Sequence, residues 1–269
     1  MDSDSRGTGG RDNRAEVSYP ADANERCFEV EDTSFWFQHR NDCIVAALNV
    51  YPPAGTIVDV GGGNGYVTRR LLDEGFGAAL VEPGAVGAHH AKSQRRIPTV
   101  RCSTLEGCGF APGSIDAIGL FDVLEHIADE AAILGTVHTL LKPGGRVYVT
   151  VPAFGWLWSA SDENAGHYRR YSPGSLAAAL RDRFRPLFLT SFFGPLVLPV
   201  LAFRVAPYRF ALGKRRRNML SGETEHGTHG GLAVKAARRL LLREVTRISC
   251  GRSSKWGTSC LCVAAKPTS

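Results

Sequence analysis

Three titratable residues stand close together near the middle of the chain, at Asp122, Glu125 and His126. If a helix began at Asp122, all three side chains would lie near one face of it. Carboxylate and imidazole groups can hold a divalent metal ion, and a histidine can also accept a proton near neutral pH. The run therefore predicts a catalytic base at His126, a metal site, or a histidine with a structural role.

A second group of aromatic and ionisable residues follows, and it comprises Trp156, Trp158, Asp162, His167, Tyr168, Arg169, Arg170 and Tyr171. A segment of this composition is more typical of a binding site than of a solvated connection. His167 is the second candidate for a base. Arg170 can bind a phosphate or carboxylate through a forked hydrogen bond, or it can pair internally with Asp162 or Glu163.

A glycine-rich turn precedes both groups and reads Asp-Val-Gly-Gly-Gly-Asn-Gly from Asp59 to Gly65. Its glycines allow the backbone to approach a ligand where a Cβ atom would collide. Glu82 ends the next predicted strand, where a carboxylate can accept hydrogen bonds from ribose hydroxyls. A dinucleotide site reads G-x-G-x-x-G, but Tyr66 stands in place of the third glycine. A nicotinamide-dependent oxidoreductase is therefore disfavoured.

Strands that alternate with helices must position these groups. Apolar runs predict strands at 56–60, 78–82, 99–102, 115–121, 146–151, 186–193 and 258–265. Helices are predicted at 66–74, 85–94, 130–141 and 173–181, after an earlier helix that begins near Ser34. This order is typical of an α/β fold with a doubly wound parallel sheet. Such sheets bind ligands at the carboxyl ends of their strands.

The domain boundaries follow from composition. Residues 1–22 are predicted to be a flexible leader and 23–269 a single domain, in which 194–256 form a helical insertion on the substrate side. The apolar stretch 187–203 is interrupted by Pro195 and Pro199, so it predicts core, lid or interfacial structure rather than a membrane span. The basic run 214–217 suits anionic headgroups, and 194–217 are therefore the predicted place of any peripheral membrane contact.

Charge and cysteine content narrow the class of protein. The net charge is +6, a modest excess that does not by itself predict binding to nucleic acid. The seven cysteines show neither a disulfide rhythm nor paired metal spacing. The first residues have no apolar core of the kind that a signal peptide carries. These features predict a cytoplasmic protein that is able to associate with a membrane.

Four motifs, in this order, resemble the class I S-adenosylmethionine-dependent methyltransferases. They are the glycine turn, Glu82, the run Phe121-Asp-Val-Leu-Glu-His-Ile127 and the turn Leu141-Lys-Pro-Gly-Gly145. Phe35-Trp-Phe-x-x-Arg40 and Gly166-His-Tyr-Arg-Arg-Tyr171 resemble one bacterial branch of that family. The resemblance implies a Rossmann-like seven-stranded sheet, mostly parallel with an antiparallel last strand.

The resemblance also assigns roles to matching positions. Cofactor binding falls to Asp59, Gly61, Gly62, Gly63, Gly65, Glu82, Pro83, Phe121 and Asp122. Acceptor binding is expected from Trp36, Arg40, Trp158, Tyr168 and Arg170, and catalysis from His126 and His167. Thr104 stands where the family often has an acid that meets adenine, and Glu106 is slightly displaced from that position.

The expected function is transfer of a methyl group from S-adenosylmethionine to a small amphipathic or anionic acceptor, with oxygen the favoured atom. An RNA-directed methyltransferase of the same fold and a non-catalytic cofactor-binding module are the alternatives. Leu-Glu-His runs also occur in family members where no metal is implied. Metal chelation is therefore expected to leave activity largely intact.

Overall fold

The computed structural model describes residues 23–210 and 232–268. The predicted leader 1–22 and the basic run 214–217 lie outside these ranges. One sheet is built from seven strands: β1 Ile57–Val60, β2 Ala78–Val81, β3 Val100–Arg101, β4 Ile115–Phe121, β5 Leu141–Pro152, β6 Arg185–Phe192 and β7 Ser259–Ala265. The strand order is β3-β2-β1-β4-β5-β7-β6.

The sheet is parallel except for its last strand. β1 pairs in parallel with β2 and β4, and β7 runs antiparallel between β5 and β6. All residues of β1 and β7 are buried, because helices cover both faces of the central strands. This topology confirms the Rossmann-like doubly wound fold and its antiparallel last strand.

Helices connect the strands. They are α1 Ala23–Val30, α2 Phe35–Val50, α3 Tyr66–Asp73, α4 Ala85–Ser93, α5 Glu130–Leu140, α6 Ala160–Ala165, α7 Pro173–Arg181, α8 Val197–Val200, α9 Ala206–Phe210 and α10 Leu232–Ser249. Helix α7 begins as predicted, because Ser172 accepts a hydrogen bond from the Ser175 amide and Pro173 fills the first turn. Helix α1 was not predicted.

The predicted insertion is helical in both of its described parts. Residues 194–210 form one helical segment, in which a π-helical turn, Leu201–Val205, joins α8 to α9. Helix α10 packs on α2 and buries Leu241 and Ile248 in the core shared with Ile44. Within 23–210 and 232–268, the structure contains no helix long and apolar enough to cross a membrane.

The carboxyl ends of the parallel strands share one edge of the sheet, and the backbone there is unusual. Asp122, Phe154 and Phe193 have φ of 58°, 57° and 61°, in the left-handed region that side chains disfavour. They follow the ends of β4, β5 and β6. The loops that follow β4, β5 and β6 therefore lie together at this edge, and each contains a residue with positive φ.

Candidate functional site

A cavity of about 1180 Å³ opens at this edge. Its volume exceeds the range of about 300–1,000 Å³ that is usual for a single ligand, so it can hold a cofactor and an acceptor together. Of the residues predicted to form the site, those in its wall are Trp36, Arg40, Gly61, Gly62, Gly63, Glu82, Pro83, Phe121, Asp122, His126, His167 and Arg170. The wall does not include Asp59, Gly65, Trp158 or Tyr168.

The glycine turn and Glu82 form one end of the cavity. The Gly63 amide donates to Oε2 of Glu82 at 2.8 Å, and the Gly84 amide donates to Oε1 at 2.7 Å. Burial raises the pKa of Glu82, although these two hydrogen bonds oppose the shift. The carboxylate thus ties the two βα loops together, and each oxygen keeps a further lone pair for a ligand.

Asp59 supports the glycine turn from beneath instead of facing the cavity. Its side chain is fully buried, and Oδ2 accepts a hydrogen bond from the Thr68 hydroxyl at 2.6 Å. A Cβ atom added at Gly62 would come within 2.5 Å of the same oxygen, so the turn closes over Asp59 only with glycine there. Asp59 thus supports the loop, and its predicted contact with the cofactor is not part of the cavity wall.

Gly65 is also part of the turn rather than of the wall. Its φ of 76° starts α3 in a left-handed conformation, and a Cβ atom there would collide with Ile97. The loop after β3 does line the cavity, through Ser103, Thr104, Leu105 and Glu106. This part of the wall thus holds two hydroxyls and one acid, and its contact with adenine stays a prediction.

Replacing Asp59 with asparagine should change how stability depends on pH. Burial raises the pKa of Asp59 from 3.8 to about 6, against the Thr68 hydrogen bond, so ionisation in the folded state costs free energy. This cost grows as the pH rises from about 4 to 6, and the asparagine variant escapes it. Urea denaturation should show the variant gaining about 1–3 kcal/mol relative to wild type between pH 4 and pH 8.

Asp73 provides the control, because its carboxylate is 58% exposed and pairs with Arg69 on the surface. Asp73→Asn should show no comparable gain over the same pH range. A variant Asp59→Asn whose stability relative to wild type does not change with pH would contradict the raised pKa of Asp59.

Asp122 does not begin a helix, so the condition under which Asp122, Glu125 and His126 would share a helix face is not met. Its amide donates to the Thr150 carbonyl at 2.9 Å, and its left-handed φ turns the chain away from the sheet. Only one 3₁₀ turn follows, Leu124–His126. The Asp122 carboxylate is held by Arg40 at 2.6 Å and by the Thr150 hydroxyl at 3.0 Å. Asp122 nevertheless lines the same cavity as Glu125 and His126, and its charge acts on both of them.

Arg40 is held as firmly as its partner. Its guanidinium lies 5.3 Å from the ring centre of Trp36 and 5.2 Å from that of Phe37, a cation–π arrangement. Trp36 in turn stacks on Phe193 with ring centres 5.4 Å apart. The aromatic N-terminal part of α2 thus forms a fixed wall of the cavity.

A different set of three residues lies together: Glu125, His126 and His167, whose ligand-type atoms are all within 4.8 Å of one another. Two atoms bound to one ion at about 2.1 Å lie at most about 4.2 Å apart, so a metal would require a small closure. Oε2 of Glu125 is buried and accepts no hydrogen bond from the described residues. The three residues could therefore bind a cation if they moved slightly closer together. Without that movement, the Glu125 carboxyl can remain protonated.

The two histidines differ in character. Burial, followed by the neighbouring His167, lowers the pKa of His126 to about 4, so His126 is neutral and weakly basic at pH 7. The rings meet edge to face with centres 4.8 Å apart. Burial and then the charge of Asp122 raise the pKa of Glu125 well above its usual value, which favours its protonated form.

His167 has the arrangement of an oriented base. Its Nδ1 lies 2.9 Å from Oδ1 of Asp162, which favours the tautomer with the proton on Nδ1 and leaves Nε2 as acceptor. Burial alone would raise the pKa of Asp162, but the hydrogen bonds and charges of His167 and Arg170 hold it below 3.8. Asp162 is thus an anion that fixes the imidazole.

Arg170 forms the internal pair that the sequence left open. Its Nε donates to Oδ1 of Asp162 at 2.7 Å, and its Nη1 donates to the Ala153 carbonyl at 3.0 Å. The expected grip on an anionic acceptor is therefore largely replaced by support of Asp162. The side chain still lines the cavity.

Two predicted acceptor residues lie elsewhere. Tyr168 donates its amide to the Glu125 carbonyl at 2.8 Å while its side chain is 44% exposed. Trp158 caps the short 3₁₀ turn Gly155–Leu157. Neither borders the cavity.

Other residues of the cavity wall were not predicted from the sequence. Helix α1 contributes Asn24, Arg26 and Cys27, and the segment 194–210 contributes Phe203 and Arg204. The polar composition of 23–30 gives no clear helical period. Phe203 was noted only as part of an apolar stretch, which by itself does not indicate a cavity.

The comparisons agree with this geometry. A family model for a methyltransferase domain matches residues 37–183, more than half of the chain. The ubiquinone biosynthesis O-methyltransferase of Azotobacter vinelandii is 31% identical over 97 residues, which are 34% of this chain and 42% of that protein. The corresponding enzyme of Xanthomonas campestris pv. campestris is 28% identical over 153 residues, 50% of this chain and 64% of that protein. The matches thus span less than two thirds of either relative.

Solved structures share the fold at lower identity. A Haloferax volcanii complex of a methyltransferase activator with a methyltransferase contains a chain that matches with a TM-score of 0.58 and 18% identity, covering 93% of this chain and 99% of that one. Haemonchus contortus phosphoethanolamine N-methyltransferase 2, solved with S-adenosylmethionine, matches with a TM-score of 0.52 and 18% identity, covering 91% and 57%. These structures share the fold of this chain, and the family match over 37–183 shows that the chain belongs to the class I S-adenosylmethionine-dependent methyltransferases.

Proposed function

We propose that this enzyme methylates a hydroxyl oxygen of a small acceptor that has an apolar body. The observation that carries the proposal is the Asp162–His167 pair, which lies in the same cavity as the glycine turn and Glu82. A hydroxyl must lose its proton to become a good nucleophile, and a positioned imidazole can accept that proton.

Each of these residues has a separate role in the proposed reaction. S-adenosylmethionine supplies a methyl group on a positively charged sulfur when it is bound. The glycine turn and Glu82 would hold this cofactor. His167 would take the hydroxyl proton on Nε2 and so leave the acceptor oxygen as the nucleophile. Asp162 stabilises the imidazolium that results, and the aromatic wall at Trp36 excludes water and aligns the acceptor.

The chemistry of the wall favours a neutral or weakly acidic acceptor over a strongly anionic one. Arg40 and Arg170 both line the cavity, but Asp122 and Asp162 balance their charges. Apolar side chains, including Val200 and Phe203, line another part of the wall. The similar ubiquinone biosynthesis O-methyltransferases have a name that indicates the same reaction type, which supports a phenolic acceptor here.

A panel of acceptors tests the proposal. Methyl-labelled S-adenosylmethionine is incubated with phenols that carry short or long alkyl chains, with primary amines, and with single-stranded RNA. We expect transfer to the phenols, at a higher kcat/KM for the longer chains because each buried methylene adds favourable transfer free energy. Transfer to amines or RNA but not to phenols would overturn the proposal.

Chelation of metal ions distinguishes proton removal by His167 from metal binding by the two histidines. We expect EDTA to leave at least half of the activity, because the Asp162–His167 pair removes the proton without an ion. Loss of all activity, restored by Mg²⁺ or Zn²⁺, would instead assign Glu125, His126 and His167 as ligands. Magnesium added without EDTA treatment serves as the control for general salt effects.

An acceptor with an apolar body partitions into lipid, so we also propose that residues 194–217 contact a membrane peripherally. The segment 194–210 supports this proposal, because it borders the cavity and carries exposed apolar side chains. We also propose that the enzyme acts in the cytoplasm, because its cysteines show no disulfide rhythm in the sequence.

A further inference from the structure

The helical segment 194–210 exposes large apolar side chains. Leu198 is 71% exposed, Phe203 76% and Phe210 81%. Scattered apolar residues are common on protein surfaces, but several large ones on one short helical segment indicate an interaction site. Phe203 also lines the cavity, so the exposed apolar region reaches the cavity mouth.

A pair of exposed tryptophans adjoins this segment. The rings of Trp156 and Trp256 are 6.0 Å apart, and their residues are 37% and 52% exposed. The segment starts against Trp256, since a Cβ atom at Gly194 would lie 3.8 Å from its Cδ1. Near the other end, Arg209 donates to the Trp156 carbonyl at 2.9 Å. Both ends of the segment therefore adjoin the tryptophan pair. The exposed apolar residues of the segment and the pair are together called the apolar surface: Trp156, Leu198, Leu201, Phe203, Phe210 and Trp256.

Most of the described charges next to the apolar surface are positive. The segment 194–210 carries Arg204 and Arg209, and an acid, Glu163, contacts it by accepting a hydrogen bond from the Tyr208 hydroxyl. The loop 250–257 holds Arg252 and Lys255, both exposed, and no acidic residue. Exposed tryptophans and apolar helical residues bordered by basic side chains match the chemistry of an anionic membrane surface.

We infer that the apolar surface binds the face of an anionic lipid bilayer and sets the cavity mouth against it. The tryptophan pair would lie at headgroup depth, and Leu198 and Phe210 would enter the acyl boundary. Phe203 would then stand between lipid and cavity, where an acceptor can pass without crossing water. The inference rests on the proposed function for the nature of the acceptor, but lipid binding itself requires neither cofactor nor turnover.

Vesicle sedimentation tests the inference with the full chain. Vesicles of phosphatidylcholine alone are compared with vesicles that also contain phosphatidylglycerol. We expect binding to the anionic vesicles only, with a blue shift of tryptophan fluorescence. The double variant Leu198→Ser/Phe210→Ser should bind at least tenfold more weakly, because both side chains lose their apolar contact. Arg252→Gln/Lys255→Gln should weaken binding on the order of fivefold for each charge removed.

The controls keep this test separate from that of the proposed function. Val86→Ser changes an exposed apolar residue of α4 and should leave vesicle binding unchanged. Leu198 and Phe210 do not line the cavity, so their double variant should still methylate a water-soluble phenol at the wild-type rate. Unchanged vesicle binding by that variant, equal binding to both vesicle types, or a dimer in solution that the same substitutions dissociate would overturn the inference. Loss of methyl transfer with vesicle binding retained would count only against the proposed function.

Discussion

Replacing His167 with alanine should reduce kcat at least tenfold, about 1.4 kcal/mol of transition-state stabilisation, while the Kd of S-adenosylmethionine stays within twofold. The reason is that His167 reaches the cavity from the loop after β5, away from the glycine turn and Glu82. In the proposed mechanism, its imidazole takes the proton from the acceptor hydroxyl and has no part in holding the ribose. Steady-state methyl transfer and calorimetric titration of the cofactor measure the two quantities separately.

The pH profile of kcat distinguishes a catalytic from a structural His167. If His167 is the base, a more alkaline pH should partly restore the rate of the His167→Ala variant, because hydroxide can then remove the proton of the acceptor hydroxyl. Asp162→Asn, which removes the orienting anion, should lower kcat. His89→Ala is a matched control, because His89 is an exposed histidine on α4 that does not line the cavity. Parallel loss of cofactor affinity and turnover in His167→Ala would assign the residue a structural role.

Replacing Glu82 with alanine should weaken S-adenosylmethionine binding by about 1–3 kcal/mol, or roughly 5-fold to 150-fold in Kd. The carboxylate holds the amides of Gly63 and Gly84 and is the expected acceptor for the ribose hydroxyls. Its removal leaves two buried donors unpaired and disconnects the glycine turn from the loop after β2. Calorimetry at fixed pH measures the change directly.

Two further variants localise that effect. Glu82→Gln keeps the shape of the side chain but turns an NH₂ group toward one of the two amides, so its loss should lie between wild type and alanine. Glu106→Ala removes another acid from the same cavity and should have a smaller effect, because Glu106 bridges no loops. Equal losses for Glu82→Ala and Glu106→Ala would show that general negative charge, rather than the bridge, governs cofactor affinity.

The glycine turn and Glu82 were predictable because their signals are local. A glycine turn between strand and helix, followed by an acid at the end of the next strand, defines both backbone conformation and position in the sheet. The placement of His167 at the same edge also followed from strand order. These inferences needed only the rule that parallel strands share a carboxyl edge.

The errors share a physical origin, since each depended on contacts between distant segments. The spacing of Asp122 and Glu125 is helical, but the Asp122 amide belongs to the sheet through Thr150. From the sequence, Arg170 could equally well bind an anionic ligand or pair with Asp162. In the structure it pairs with Asp162, whose side chain is buried. Helix α1 is held by distant residues, through the hydrogen bond from Asn64 to the Asn24 carbonyl and the stacking of Phe28 on His90.

The left-handed residues that follow β4, β5 and β6 have a consequence for the engineering of heat-resistant variants. Non-glycine residues in this conformation typically cost about 1–3 kcal/mol each, and here they concentrate beside the reacting groups. Glycine at Phe154 would relieve the strain, but it would also remove a ring that stacks on Trp156. Glycine at Asp122 would release Arg40. Selection for thermostability alone would therefore tend to erode the catalytic edge first, so stabilising substitutions are better sought on α3, α4 and the outer face of α5.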